Sequence, residues 1–145
     1  SDAVYYAQAK YQPDVLIDVA TLTGSVGRAV GPDNAGLFSR HDALADQLLD
    51  AGETSGELMW RLPLNDTYFE QIRSEIADVI NGGAKGAGAS IGAAFIGTFV
   101  AEEQVWAHLD IAGVDLADEP SATTPKGFTG WGVRVLDEYL RQHHE

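Results

Sequence analysis

Apolar residues recur along this chain with two different periods, and the switching between them predicts its elements. Val4, Ala7 and Tyr11 fall at helical intervals, which predicts a helix over Asp2–Tyr11, with Ser1 at the N-cap and Pro13-Asp14 as the break. Val15-Leu16-Ile17-Asp18-Val19-Ala20 is an apolar run rich in β-branched residues, the pattern of a strand buried on both faces. A small, polar loop, Thr21–Ser25, ends it. Ala35-Gly36-Leu37-Phe38 predicts a second, shorter strand. His41–Ala51 follows as a helix with Leu44, Leu48 and Leu49 on one face, closed by Gly52.

The second half repeats the alternation. Trp60–Leu64 reads as extended chain, Asp66–Ser74 as a short helix and Asn81–Gly88 as a glycine-rich loop. Ser90 opens a helix to about Glu103, with Ile91, Phe95, Phe99 and Val100 on one side. Val105–Gly113 is another strand with a glycine stop, Asp118–Phe128 an irregular loop, and Gly132–His143 a final helix whose Val133, Leu136 and Leu140 share a face. Strands alternating with helices of this length predict an α/β fold, a mostly parallel sheet flanked by helices. The 145 residues carry no internal repeat and no linker, so one domain is expected.

Composition narrows the choice of partners. Twenty-two acidic residues against 9 basic ones give a net charge of −13, which repels nucleic acid and anionic membranes. With no cysteine, disulfides, thiolate-held zinc and thiol catalysis are excluded. The apolar stretch Ile91–Ala101 falls short of the ~20 residues that a membrane span needs, and Ser1-Asp2-Ala3-Val4 lacks the charged start of a signal peptide.

Ligands of open α/β sheets sit beyond the carboxyl ends of the strands. Two strands here end in loops of one kind, Asp18-Val-Ala-Thr-Leu-Thr-Gly-Ser and Asp110-Ile-Ala-Gly-Val-Asp, whose small side chains let a ligand approach the backbone. Asp18, Asp110 and Asp115 are the candidate metal ligands near these loops. Because Asp18 and Asp110 lie inside strands, they read better as buried, hydrogen-bonded structural groups. His108, on the same side of its strand as Asp110, reads as a satisfied, half-buried histidine. His41 at a helix start and His143-His144 near a chain end suggest no function. Ser25 and Ser90 lack the G-x-S-x-G elbow of a nucleophile. The stretch Asn81–Ser90 has neither the G-x-x-x-x-G-K-[ST] nor the G-x-G-x-x-G order, and close packing at a helix entry accounts for its glycines. Trp60, Trp106 and Trp131 stand in apolar surroundings, as core or interface residues do.

Five segments in register then resemble the leucyl (cytosol) aminopeptidase family: Asp18-Val-Ala-Thr-Leu-Thr-Gly, Ile76-Ala-Asp-Val-Ile-Asn, Ala87-Gly-Ala-Ser-Ile-Gly-Ala-Ala-Phe, Trp106-Ala-His-Leu-Asp-Ile-Ala-Gly and Thr129-Gly-Trp-Gly-Val-Arg. The resemblance covers nearly the whole chain. It implies the C-terminal portion of the catalytic domain of a cytoplasmic, hexameric metallo-exopeptidase that releases N-terminal residues, leucine among them, from peptides. Two divalent ions (zinc, manganese or magnesium) activate a bridging water in that family, and an arginine-held bicarbonate shuttles the proton. Carried onto this sequence, the Leu22 backbone faces bicarbonate and substrate, Thr21 and Gly24 line the side-chain pocket, and Ala112 and Asp115 form its far wall. Asp115 stands where an apolar residue is usual in some members.

The resemblance places the family's metal ligands, catalytic arginine and second lysine, with its N-T-D-A-E-G-R motif, ahead of Ser1. The expectation is a piece of a longer enzyme that binds no metal and hydrolyses no peptide by itself. Two other readings compete with it: a non-catalytic α/β binding or interaction module, and an unrelated hydrolase built on Asp18, Asp110 and His108.

Overall fold

A computed structural model of the chain describes residues 1–82 and 86–144; Gly83, Ala84 and Lys85 of the predicted glycine loop, and Glu145, lie outside the described residues. Six helices and six strands appear in it: α1 (Asp2–Tyr11), β1 (Leu16–Ala20), α2 (Gly24–Val30), β2 (Ala35–Ser39), α3 (Asp42–Ser55), β3 (Met59–Arg61), α4 (Asp66–Gln71), α5 (Gly88–Gly97), β4 (Trp106–Asp110), β5 (Leu116–Ala117), β6 (Gly127–Phe128) and α6 (Val133–His143).

The main sheet has the order β1-β4-β2-β3. β1 runs parallel to β4 and β2 parallel to β3, while β2 and β4 are antiparallel, so the sheet is mixed but mostly parallel. Alternating side chains of the two central strands go to opposite layers. Leu37, Ala107 and Leu109 pack with Leu44, Ala45, Leu48 and Ala51 of α3 and with Val135 and Tyr139 of α6. On the opposite face, Phe38 packs with Val26 of α2 and Ala89 and Ala93 of α5, and Trp106 packs with Val4 of α1 and Ile96 of α5. The α/β class and the flanking helices follow the sequence expectation.

Several details differ from it. Val15–Ala20 is not a strand buried on both faces: β1 has a single neighbour in this sheet, is only partly buried, and exposes Val19. The fully buried strands are β2 and β4, flanked on both sides. Ser1 holds the N-cap position of α1, but its hydroxyl donates to Asp2 (3.1 Å) and makes no cap bond to the helix. α2 starts inside the predicted Thr21–Ser25 loop, a seven-residue helix too short and too glycine-rich to show a periodic face. α3 runs past Gly52 and ends at Ser55, where Gly56 takes the left-handed conformation (φ 73°) that side chains disfavour. α5 stops at Gly97, short of the predicted Glu103. The stretch predicted as irregular ends in β6, which pairs antiparallel with β5 (Leu116 opposite Phe128). Trp60 is 65% exposed and takes no part in the core, whereas Trp106 is wholly buried and Trp131 partly so.

Candidate active site

β1 and β4 run side by side in register from Leu16 opposite Trp106 to Ala20 opposite Asp110, so their carboxyl ends meet. Asp110, the last residue of β4, is completely buried. Burying a carboxylate is costly unless its lone pairs are taken, and here four groups take them. The amides of Leu22 (3.1 Å), Thr23 (3.1 Å) and Ala112 (3.2 Å) donate to it, as does the Thr23 hydroxyl (2.7 Å). Charge-assisted bonds of this kind are about twice as strong as neutral ones. Asp110 therefore draws the loop after β1 and the loop after β4 onto one point.

Thr23 serves two elements at once. Its hydroxyl donates to Asp110 and accepts from the Val26 amide (3.2 Å), which caps the N-terminus of α2. α2 in turn lies against the second loop: a methyl group at Gly113 would come within 3.0 Å of the Gly31 carbonyl and 3.2 Å of Gly27 Cα. That clearance exists only without side chains. Thr23 was not among the residues the sequence singled out. Its signal was present, a threonine followed three residues later by the first buried apolar position of a helix.

The expected site residues divide as follows. Thr21, Leu22 and Gly24 lie in or beside the loop held by Asp110, with Thr21 and Gly24 exposed and Leu22 38% exposed. Ala112, partly buried, is held by the same carboxylate. Asp115 is tied in through its backbone: its amide donates to the Ile111 carbonyl (3.0 Å) and its carbonyl accepts from Thr129 (3.0 Å). The β5–β6 pair, with Leu116 opposite Phe128, follows directly on this loop. Clefts of about 680 Å³ beside α1 and about 540 Å³ between β1 and α6 open elsewhere, away from these loops.

Asp18 sits further down the sheet. Its carboxylate accepts from Trp106 Nε1 (2.7 Å) and lies 2.6 Å from His108 Nδ1, which fits a structural, hydrogen-bonded role. His108 departs from its half-buried, satisfied reading. It is fully buried, stacks on Phe38 with ring centroids 5.8 Å apart, and its Nε2 has no partner among the described residues. The carboxylate fixes the imidazole by one nitrogen only.

These residues do not suit a divalent metal. The oxygens of Asp110 and Asp18 are engaged by protein donors, and no group of three or more His, Asp or Glu side chains that could hold an ion forms among the described residues. A hard cation needs several free oxygen ligands.

A second buried carboxylate was not foreseen. Glu57, 3% exposed, accepts from the amides of Gly132 (3.0 Å) and Val135 (2.9 Å) and from Arg134 Nε (3.2 Å). It caps α6 from across the fold, where the positive end of the helix favours an anion. Nothing local in the sequence marks a glutamate as the cap of a helix 75 residues away.

Comparison with known proteins gives this geometry its family. The model of the cytosol aminopeptidase family, catalytic domain, matches residues 1–137. A probable cytosol aminopeptidase of Rickettsia bellii is 49% identical over 147 residues, covering 100% of this chain and 29% of its own length. Among solved structures, a tomato leucine aminopeptidase mutant superposes with a TM-score of 0.88 at 42% identity, covering 97% of this chain and 27% of that one. The bottromycin maturation enzyme BotP in complex with Mn gives 0.89 at 39% identity, covering 97% and 32%. The chain belongs to the cytosol aminopeptidase family. It spans about 29% of the length of the relatives it matches.

Proposed function

We propose that this chain supplies the substrate-pocket side of an aminopeptidase that releases leucine-type residues from the N-termini of peptides. The observation that carries this reading is the Asp110 carboxylate, which holds Leu22, Thr23 and Ala112 together at the carboxyl end of the sheet. In this reading the Leu22 backbone faces substrate and bicarbonate, Thr21 and Gly24 line the side-chain pocket, and Ala112 and Asp115 close its far wall. Fixing these loops in advance spares the substrate the cost of ordering them.

Divalent metal use, with zinc, manganese or magnesium as the ion, belongs to the same proposal. It is supported by family membership and by the manganese complex of BotP. Such ions activate water and polarise a carbonyl when bound. The oxygens of Asp18 and Asp110 are already taken by protein donors, so the ligands are proposed to come from the rest of a longer protein, with this chain as its C-terminal portion. A cytoplasmic homohexamer is proposed as the working form. No helix among the described residues is long and apolar enough to cross a membrane.

The reading is tested in the full-length protein by Gly24→Leu. A Cβ at Gly24 would meet nothing within 4 Å, so the backbone there has room for a side chain to begin. Turnover of leucine substrates should fall at least tenfold with metal content unchanged; unaltered kinetics would remove Gly24 from the pocket. Asp115→Leu should shift preference toward apolar N-terminal residues, because burying a leucine side chain contributes about 1.5–3 kcal/mol. An unmoved selectivity ratio would take Asp115 out of the wall.

A further inference from the structure

Immediately beyond Gly24 the first turn of α2 opens onto a separate cleft of about 450 Å³, a size suited to a small ligand. Ser25 and Arg28 of α2, Leu62, Tyr68, and Gly88 and Ser90 of α5 line it. Three observations there point to an anion. First, Arg28 donates to the Ser25 hydroxyl (3.1 Å) and forms no ion pair among the described residues. Second, Ser90, a hydroxyl-bearing residue only 5% exposed, lines the same cleft. Third, α5 begins at this cleft with its first amides free of intrahelical partners. Ile91 makes the first such bond, to the Ala87 carbonyl (3.0 Å), and no side chain caps the helix. Ser25 joins the two helices, since a methyl group at Gly88 would meet Ser25 Cβ at 3.2 Å.

Among the described residues the lining includes no aspartate or glutamate, in a chain whose net charge is −13. Its remaining surface is mainly apolar, with Leu62, Pro63, Tyr68, Ala87 and Ala89. Such a site suits an anion carried on an apolar group better than a bare, fully hydrated one.

We infer that this cleft binds the C-terminal carboxylate of a short peptide substrate, with Arg28 as its cation and Ser90 and the start of α5 as further donors, while the terminal apolar side chain rests on Leu62 and Tyr68. The inference deepens the aminopeptidase reading and rests on it. Spacing supports the link. From Gly24 to Arg28 the helix rises about 6 Å, roughly the reach of two extended peptide residues. A di- or tripeptide whose first residue lies at Thr21–Gly24 therefore ends within reach of Arg28.

The test uses the full-length, metal-loaded protein and three substrates: a leucyl tripeptide ending in phenylalanine, the same tripeptide as its C-terminal amide, and a leucine anilide without a distal carboxyl. The free acid should show a KM about tenfold below that of the amide at similar kcat. Arg28→Gln should abolish that difference and leave the anilide unchanged; Arg28 is exposed, so folding is not at stake. Ser90→Ala should narrow the ratio. A ratio that survives Arg28→Gln overturns the inference.

Calorimetry separates the two readings. If no substrate is cleaved, the anilide included, the aminopeptidase reading fails. The cleft is then judged by its binding of N-acetyl-phenylalanine. Binding that Arg28→Gln abolishes upholds the carboxylate site. Absence of binding, or inorganic phosphate binding equally well, overturns it.

Discussion

Asp110 and Glu57 are both buried carboxylates, and both are satisfied mainly by backbone amides, yet they do different work. Asp110 gathers three amides and a hydroxyl from two loops that follow adjacent parallel strands, at the end of the sheet where α/β proteins bind ligands. Glu57 gathers two amides and one guanidinium at the start of a single helix, and it fastens α6 to the loop before β3. The chemistry is the same in both: a desolvated anion whose lone pairs are filled by donors that would otherwise lack partners. What hangs from each carboxylate decides its role. One positions a candidate pocket, and the other joins two pieces of scaffold.

The sharpest way to break this comparison is to remove each carboxylate in turn. Asp110→Ala leaves three amides and a threonine hydroxyl without their acceptor, and should cost about 3–5 kcal/mol of stability in urea denaturation. Glu57→Ala should cost less, about 2–3 kcal/mol, because water can reach part of the exposed end of α6. If Glu57→Ala proves the more damaging, the fold hangs on α6 rather than on the two loops. The conservative pair sharpens the functional side. Asp110→Asn should lower kcat/KM of the full-length protein at least tenfold, while Glu57→Gln should leave it within about twofold; equal losses would dissolve the distinction.

A smaller effect is expected at Thr23, which links Asp110 to the cap of α2. Thr23→Val keeps the shape and removes the hydroxyl, at a cost of about 1–2 kcal/mol. Denaturation should show this loss, and it should shrink strongly in an Asp110→Ala background, because the two residues share one network.

The smallest effect concerns α6. Burial raises the Tyr139 phenol above its ordinary value of 10.0, which means the folded state favours the neutral form. Its contribution to stability is complete below the unfolded value and is lost as pH rises through the higher folded value. Urea midpoints should therefore decline above about pH 10, and Tyr139→Phe should flatten that decline.

His108 shows where local reading ended. Its spacing from Asp110 put both on one side of β4, and its hydrogen bond to Asp18 was consistent with a satisfied group. The depth of burial, the stacking on Phe38 and the unpartnered Nε2 depend on β2 and on the helices of the second layer. Likewise, the apolar run of β1 looked like a central strand, because composition records apolarity and not the number of neighbours. Its place at the end of the order β1-β4-β2-β3 is a fact of topology.

By itself, the sequence determined the α/β class, most of the elements, and the two glycine-bearing, small-residue loops that make the candidate site, since period and turn chemistry are local properties. It also carried the five segments through which the family was recognised. Only the tertiary structure decided that one buried aspartate holds both loops, that Glu57 caps a helix 75 residues away, and that Arg28 and Ser90 face one cleft. Each of these joins groups far apart in the chain. The energy of a buried charge depends on which donors surround it in space, and no local pattern of residues records that.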